Sequence, residues 1–172
     1  MNWLRLFRLT KWEYYADFFI TPPITLALLV FSIRQGVSPG WFGELAFGLL
    51  GWSLYEYVLH RWVLHRAWFF RDMHDLHHSR QKDYIAVHPA LTIAIYAALW
   101  AMFGFGSSAV MIGFSLGYIA YSITHTAFHY THIPKGHWLY GMKMRHAAHH
   151  RTDVCFGVTT SLWDKIFNTE GK

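Results

Sequence analysis

The sequence predicts an all-α integral membrane protein, with four transmembrane helices and a helical, histidine-rich cap on the cytoplasmic side. Three observations predict it. The chain is 53% hydrophobic and 19% aromatic, with 15% charged residues, against about 25% in soluble proteins. Four apolar stretches each approach the ~20 residues that a helix needs to cross a bilayer core. Lysine and arginine gather on one side of those stretches, as the positive-inside rule requires. The 172 residues suit one domain, 1–172, with no linker, low-complexity segment or fixed-period repeat to divide it.

The first stretch is Tyr15–Ile33. Trp3, Trp12, Tyr14 and Tyr15 precede or open it and read as interfacial anchors, as does Trp41. Pro22 and Pro23 kink this helix or begin its regular part. They also interrupt the apolar run of a would-be signal peptide, and no small-residue cleavage site follows. Gln35 to Gly40 reads as a turn. The second stretch is Trp41–Leu59 and the third, a little short, is Pro89–Phe105. Phe103 to Ser108 reads as a tight connection to the fourth, Ser108–Phe128. A buried soluble core is the competing reading, but four such long, charge-poor runs are unusual there.

Four crossings leave both termini on one side. Of the fifteen lysines and arginines, all but Arg34 then lie on that side, which makes it cytoplasmic. In a bacterium the membrane would be the inner one. The net charge of +5 borders apolar spans, so it points to a lipid surface and not to nucleic acid. The single cysteine, Cys155, excludes an intrachain disulfide and any cysteine-based iron–sulfur or zinc site.

The same topology sorts the thirteen histidines. All fall on the cytoplasmic side or at the cytoplasmic ends of helices two and four. Ten form four clusters: His60 with His65, then His74, His77 and His78, then His125 with His129, then His146, His149 and His150. In shorthand these are HX4H, HX2HH, HX3H and HX2HH. Neutral imidazole is a common ligand for iron, zinc and copper. One metal takes about four to six ligands, so ten clustered histidines imply two metals. Residues three or four apart share a helix face, so three of the clusters can each converge. His60 and His65 are five apart and diverge on a regular helix. Either they serve different metals or the helix unwinds between them. His88, His132 and His137 lie outside the clusters.

Glu56 lies one turn before His60 inside an apolar helix. A buried acid there needs a partner, either a ligand imidazole to orient or a neighbouring helix. Asp75 and Asp153 flank clusters and either back a ligand imidazole or, the favoured reading, stand solvated in loops. Arg145 and Arg151 bracket the last cluster and read as lipid-surface charge. No G-x-S-x-G elbow, Walker A loop, dinucleotide fingerprint or H-E-x-x-H occurs. A flavin or nicotinamide cofactor is therefore not expected.

The four boxes in this order on four membrane helices resemble the fatty acid hydroxylase/sterol desaturase superfamily, most closely the fatty acid 2-hydroxylase catalytic domain. The resemblance runs from about Tyr55 to Thr169. Glu56 to Arg61 is similar to that branch's first box, Gly117-Tyr118 to its last helix, and Phe156 to Asp164 to its closing segment. It implies a membrane-bound, O2-dependent lipid hydroxylase with two iron ions, whose positions zinc can occupy in a purified protein. The metal ligands it implies are His60, His65, His74, His77, His78, His125, His129, His146, His149 and His150, with no catalytic residue beyond them. The substrate it implies is a membrane lipid or fatty acid, hydroxylated at the 2-position of the acyl chain. These residues carry no fused cytochrome b5-like domain, so a separate ferredoxin- or cytochrome b5-like electron donor with its reductase is expected. The short Arg66–Met73 segment departs from longer relatives, in which that region shapes the substrate path. Carotenoid or sterol hydroxylation and lipid desaturation are the same-class alternatives. The carotenoid enzymes usually have HX4H as their third box, where this chain has HX3H. A non-enzymatic metal-binding or transport protein is the alternative of a different class.

Overall fold

The computed structural model describes residues 7–103 and 108–171. The regular structure among these residues is helical, with one isolated bridge between Arg8 and Ile85. Helix α1, Lys11–Tyr15, opens on a capping box. The Thr10 hydroxyl accepts from the Glu13 N–H at 3.3 Å, and the Glu13 carboxylate accepts from the Thr10 N–H at 2.7 Å. Helices α2 (Asp17–Gln35), α3 (Pro39–Val58), α5 (Pro89–Phe103) and α6 (Ser108–Tyr130) account for most of the four predicted apolar stretches, of which residues 104–105 lie outside the described residues. A π-helical segment, Leu59–Leu64, continues α3. Helices α4 (Trp68–Ser79), α7 (Tyr140–His149) and α8 (Leu162–Ile166) lie outside those stretches.

Pro22 and Pro23 stand within α2 near its start, and the helix runs on through them. The turn expected over residues 35–40 spans Gly36 to Ser38, with Gly36 at φ +98°, a conformation that favours glycine. The connection expected at Phe103–Ser108 runs through residues 104–107, outside the described residues, and Trp3 lies outside them too. Among the described residues one helix, Lys11–Gln35, is long and apolar enough to cross a membrane, and Pro89–Met102 is a shorter apolar helix.

The chain forms two compact units. The first contains residues up to Trp52 and Tyr84–Ile119. Its core gathers Leu28, Met111 and Ile112, with Leu45, Tyr96 and Trp100 against them. Here α3 and α6 meet backbone to backbone. A Cβ on Gly48 would overlap the Val110 carbonyl, and one on Gly113 would overlap the Leu45 carbonyl. Only glycine permits that approach. Trp41, expected as an interfacial anchor, instead packs against this core and donates its indole N–H to Ser32 Oγ at 2.6 Å. Tyr14 and Tyr15 pack on Tyr84, while Trp12 is exposed.

The second unit contains Ser53–Asp83 and Ala120–Lys172. Phe128, Ile133 and Val158 form a core cluster with Tyr121, Leu139, Tyr140 and Met142. Tyr57 is fully buried and stacks on Phe167 with ring centroids 5.3 Å apart. All ten clustered histidines belong to this unit.

Candidate metal centre

Each helix presents its histidines by spacing. On α4, His74 and His78 are one turn apart with Nε2 atoms at 3.0 Å, and on α6 His125 and His129 do the same at 3.1 Å. On α7 and its cap, His146 and His150 are likewise four apart, at 3.0 Å. His60 and His65 meet by a different device. At 3.6 residues per turn, positions five apart point about 140° away from each other. The π segment widens the turn, so that the His65 N–H bonds to the His60 carbonyl at 3.3 Å. An i to i+5 bond of this kind is rare and recurs at functional sites. It returns His65 to the face of His60, with ring centroids 5.2 Å apart.

The histidines gather into two groups, each able to hold a metal ion. In one, His60, His65, His74, His78 and His149 place one ring nitrogen each within 4.8 Å of every other. In the second, His77, His125, His129 and His150 do so. His146 borders the second group, its Nε2 lying 3.0 Å from those of both His129 and His150. Neighbours thus divide between groups: His77 goes to one and His78 to the other, as do His150 and His149.

The donor set fits a metal. Further contacts in the five-histidine group put the Nε2 atoms of His60 and His74 at 3.0 Å and those of His65 and His149 at 3.1 Å. Two imidazole nitrogens each ~2.1 Å from one ion and about 90° apart lie ~3.0 Å from each other. Several buried nitrogens also lack a hydrogen-bond partner: both of His77, and Nδ1 of His146 and His150. Unpaired buried polar atoms are costly, and coordination satisfies nitrogens of this kind. Burial first, and then repulsion among neighbouring imidazoles, pushes His77 down to about 3, His78 to about 4 and His150 to about 2. Burial likewise pushes His149 down to about 3. These rings are neutral, which is the ligating form.

The outer nitrogens of three rings in the five-histidine group face one short segment. His60 Nδ1 is 2.5 Å from the Phe156 carbonyl, His149 Nδ1 is 2.9 Å from the Val154 carbonyl, and His65 Nδ1 is 3.4 Å from the Asp153 carboxylate. A carbonyl only accepts, so Nδ1 carries the hydrogen in His60 and His149, and the Nε2 lone pair faces the group. Glu56 meets neither an imidazole nor a neighbouring helix. Its carboxylate accepts from the N–H groups of Val158 and Thr159, at 2.5 and 3.0 Å, and from the Thr159 hydroxyl.

Arg145 departs from the lipid-surface role expected of it. Its guanidinium pairs with Asp164 at 3.0 Å and Glu170 at 3.1 Å. Asp164 is fully buried, and sequence reasoning gave it no role. Its position seven residues after Gly157, as the one charge in the closing segment Phe156–Asp164, was the available signal. Asp75 and Asp153 are exposed, and so are His88, His132 and His137, which stand outside both groups.

The fatty acid hydroxylase family model matches residues 45–169. Among curated proteins, the ceramide very long chain fatty acid hydroxylase scs7 of Schizosaccharomyces pombe is 33% identical over 107 residues, covering 57% of this chain and 30% of that protein. The fatty acid 2-hydroxylase of Homo sapiens is 40% identical over 62 residues, 35% of this chain and 17% of that protein. A dihydroceramide fatty acyl 2-hydroxylase of Arabidopsis thaliana is 31% identical over 106 residues, 56% of this chain and 44% of that protein. The matches span less than half the length of each of these relatives. A solved structure of full-length scs7p, in which only the hydroxylase domain is visible, superposes with a TM-score of 0.75 at 23% identity, covering 98% of this chain and 69% of that one. At that identity the likeness shows a shared fold.

Proposed function

The chain belongs to the fatty acid hydroxylase family, and on that premise we propose that it is a membrane-bound oxidoreductase that hydroxylates a lipid acyl chain at its 2-position. The site is the pair of histidine groups, with all ten clustered histidines as ligands of two iron ions. The observation that carries this reading is the convergence of buried, neutral imidazoles into two groups. The names of the relatives, fatty acid and ceramide 2-hydroxylases, support the substrate class.

Two bound irons supply the activation of O2 and the removal of a C–H hydrogen. The protein's own part is to orient and to exclude. The helix spacings aim the imidazoles inward, and the carbonyls of Val154 and Phe156 hold two of them in the ligating tautomer. Burial of His60, His74, His77, His146 and His149 keeps bulk water from the donors. One turnover converts the acyl C–H, O2, two electrons and two protons into the alcohol and water. The electrons come from a one-electron carrier of ferredoxin or cytochrome b5 type. An acidic carrier suits the basic face that the distribution of lysine and arginine implies.

The proposed placement is multi-pass, with both termini and the site in the cytoplasm. It rests on the four apolar stretches and on the segregation of lysine and arginine. Lipid mass spectrometry of cells with and without expression, grown under isotopically labelled O2, tests the reaction. The expected product is heavier than its parent by one labelled oxygen at the 2-position. A loss of two hydrogens would make the reaction desaturation, and an unchanged lipid profile would contradict the assignment.

A further inference from the structure

The two histidine groups are braced unequally, and the brace has an identifiable origin. In the five-histidine group, three rings direct Nδ1 to segment 153–156. In the other group, Nδ1 of His77, His150 and the bordering His146 have no hydrogen-bond partner. The orientation of one group is therefore only as firm as that segment.

The segment does not hold itself. It has no helical ladder, and Cys155 at its centre has φ +55°, a left-handed conformation that a side chain disfavours. The Cys155 N–H donates to the Thr169 carbonyl at 2.7 Å, and two buried carboxylates hold the end of the segment and the residues that follow it. Asp164 Oδ1 accepts from the Phe156 N–H at 2.8 Å and from the Thr169 hydroxyl at 2.7 Å, while Oδ2 accepts from the Gly157 N–H and from Arg145, both at 3.0 Å. Glu56 holds the next two residues, Val158 and Thr159. The Phe156 peptide thus has its N–H on Asp164 and its carbonyl on His60. Arg145 sets Asp164 from α7, the helix that carries His146 and His149.

We propose that Asp164 and Glu56 are positioning residues for the five-histidine position alone: they fix the backbone whose carbonyls hold His60 and His149 in the metal-binding tautomer, and the His77 position does not depend on them. The proposal rests on the two-metal reading above. Replacing outer hydrogen-bond partners of ligating histidines typically costs about 10–100-fold in metal affinity. The two carboxylates differ in what an amide can replace. Asp164 accepts main-chain N–H groups on both oxygens, so Asp164→Asn turns an NH2 against a donor. Glu56 accepts both N–H groups on Oε1 and only the Thr159 hydroxyl on Oε2. Glu56→Gln keeps every contact, because a hydroxyl also accepts.

The test is cobalt(II) titration of the metal-free full chain in detergent, read by absorption spectroscopy. His65→Ala and His129→Ala supply the signature of each position by removing the other. Wild type is expected to take up two cobalt ions; uptake of fewer would sink the two-metal reading itself before any carboxylate variant is compared. Given two, Asp164→Asn and Glu56→Ala are expected to weaken the five-histidine signature ~10–100-fold and to leave the other within about twofold. Glu56→Gln is expected to titrate like wild type. Equal weakening of both positions, no weakening of either, or Glu56→Gln behaving like Glu56→Ala would overturn the proposal. If Asp164→Asn does not fold, the Glu56 pair decides alone.

Discussion

At the scale of single residues, the division of neighbours between the two groups carries the most consequence. His77 and His78 are adjacent in sequence and serve different groups, as do His149 and His150. His77→Ala and His149→Ala should therefore impair different positions. Each should lose metal and hydroxylation by more than the ~10–100-fold that outer partners cost, while exposed His137→Ala should keep both. Metal analysis beside product assay checks this, and full activity in both cluster variants would remove the site. The histidine clusters were legible because imidazole has few other reasons to recur at helical spacing. Glu56 stood out as a buried acid, but the partners of both carboxylates did not. Glu56 reaches residues 158–159 and Asp164 reaches back to 156–157, and sequence separation conceals such folding back.

At the scale of elements, the apolar stretches announce α2, α3, α5 and α6 because period and composition act locally. The π segment is harder to read. A spacing of five fits either divergent ligands or a widened turn, and nothing in Leu59–Leu64 alone decides between them. Deletion of Val63 would leave the two histidines four apart, a spacing that shares a face on a regular helix, so the five-histidine position should keep its cobalt spectrum without the π turn. Loss of that signature would show that the π turn does more than absorb the fifth residue between His60 and His65. The glycine crossing of α3 and α6 gives a second element-scale expectation. Gly113→Leu must push the Leu45 carbonyl away and should cost about 1–3 kcal/mol of stability or more, read as a lowered unfolding midpoint in detergent. No loss would mean that the helices part freely.

At the scale of the whole molecule, protons and the proposed metals would compete for the same imidazole nitrogens. Free imidazole protonates near ~6.5, whereas His77 and His149 are held down to about 3 in the folded protein. Between those values the unfolded chain binds more protons. Stability is thus fully present above ~6.5 and falls as pH drops toward 3. One pH unit below the unfolded value, each of these two buried rings costs about 1.4 kcal/mol. The metal-free protein should melt at a lower temperature at pH 5.5 than at pH 7.5, and His77→Ala should flatten that slope. An equal melting temperature at both would show that these rings are not held neutral.

The central claim is that ten histidines from four sequence clusters make two metal positions. Anomalous X-ray scattering at the iron edge, from crystals of the iron-loaded protein, tests it most directly. Two peaks are expected per chain, one among His60, His65, His74, His78 and His149 and the other among His77, His125, His129 and His150, with His146 alongside. A single peak, or iron bound away from these imidazoles, would contradict the account.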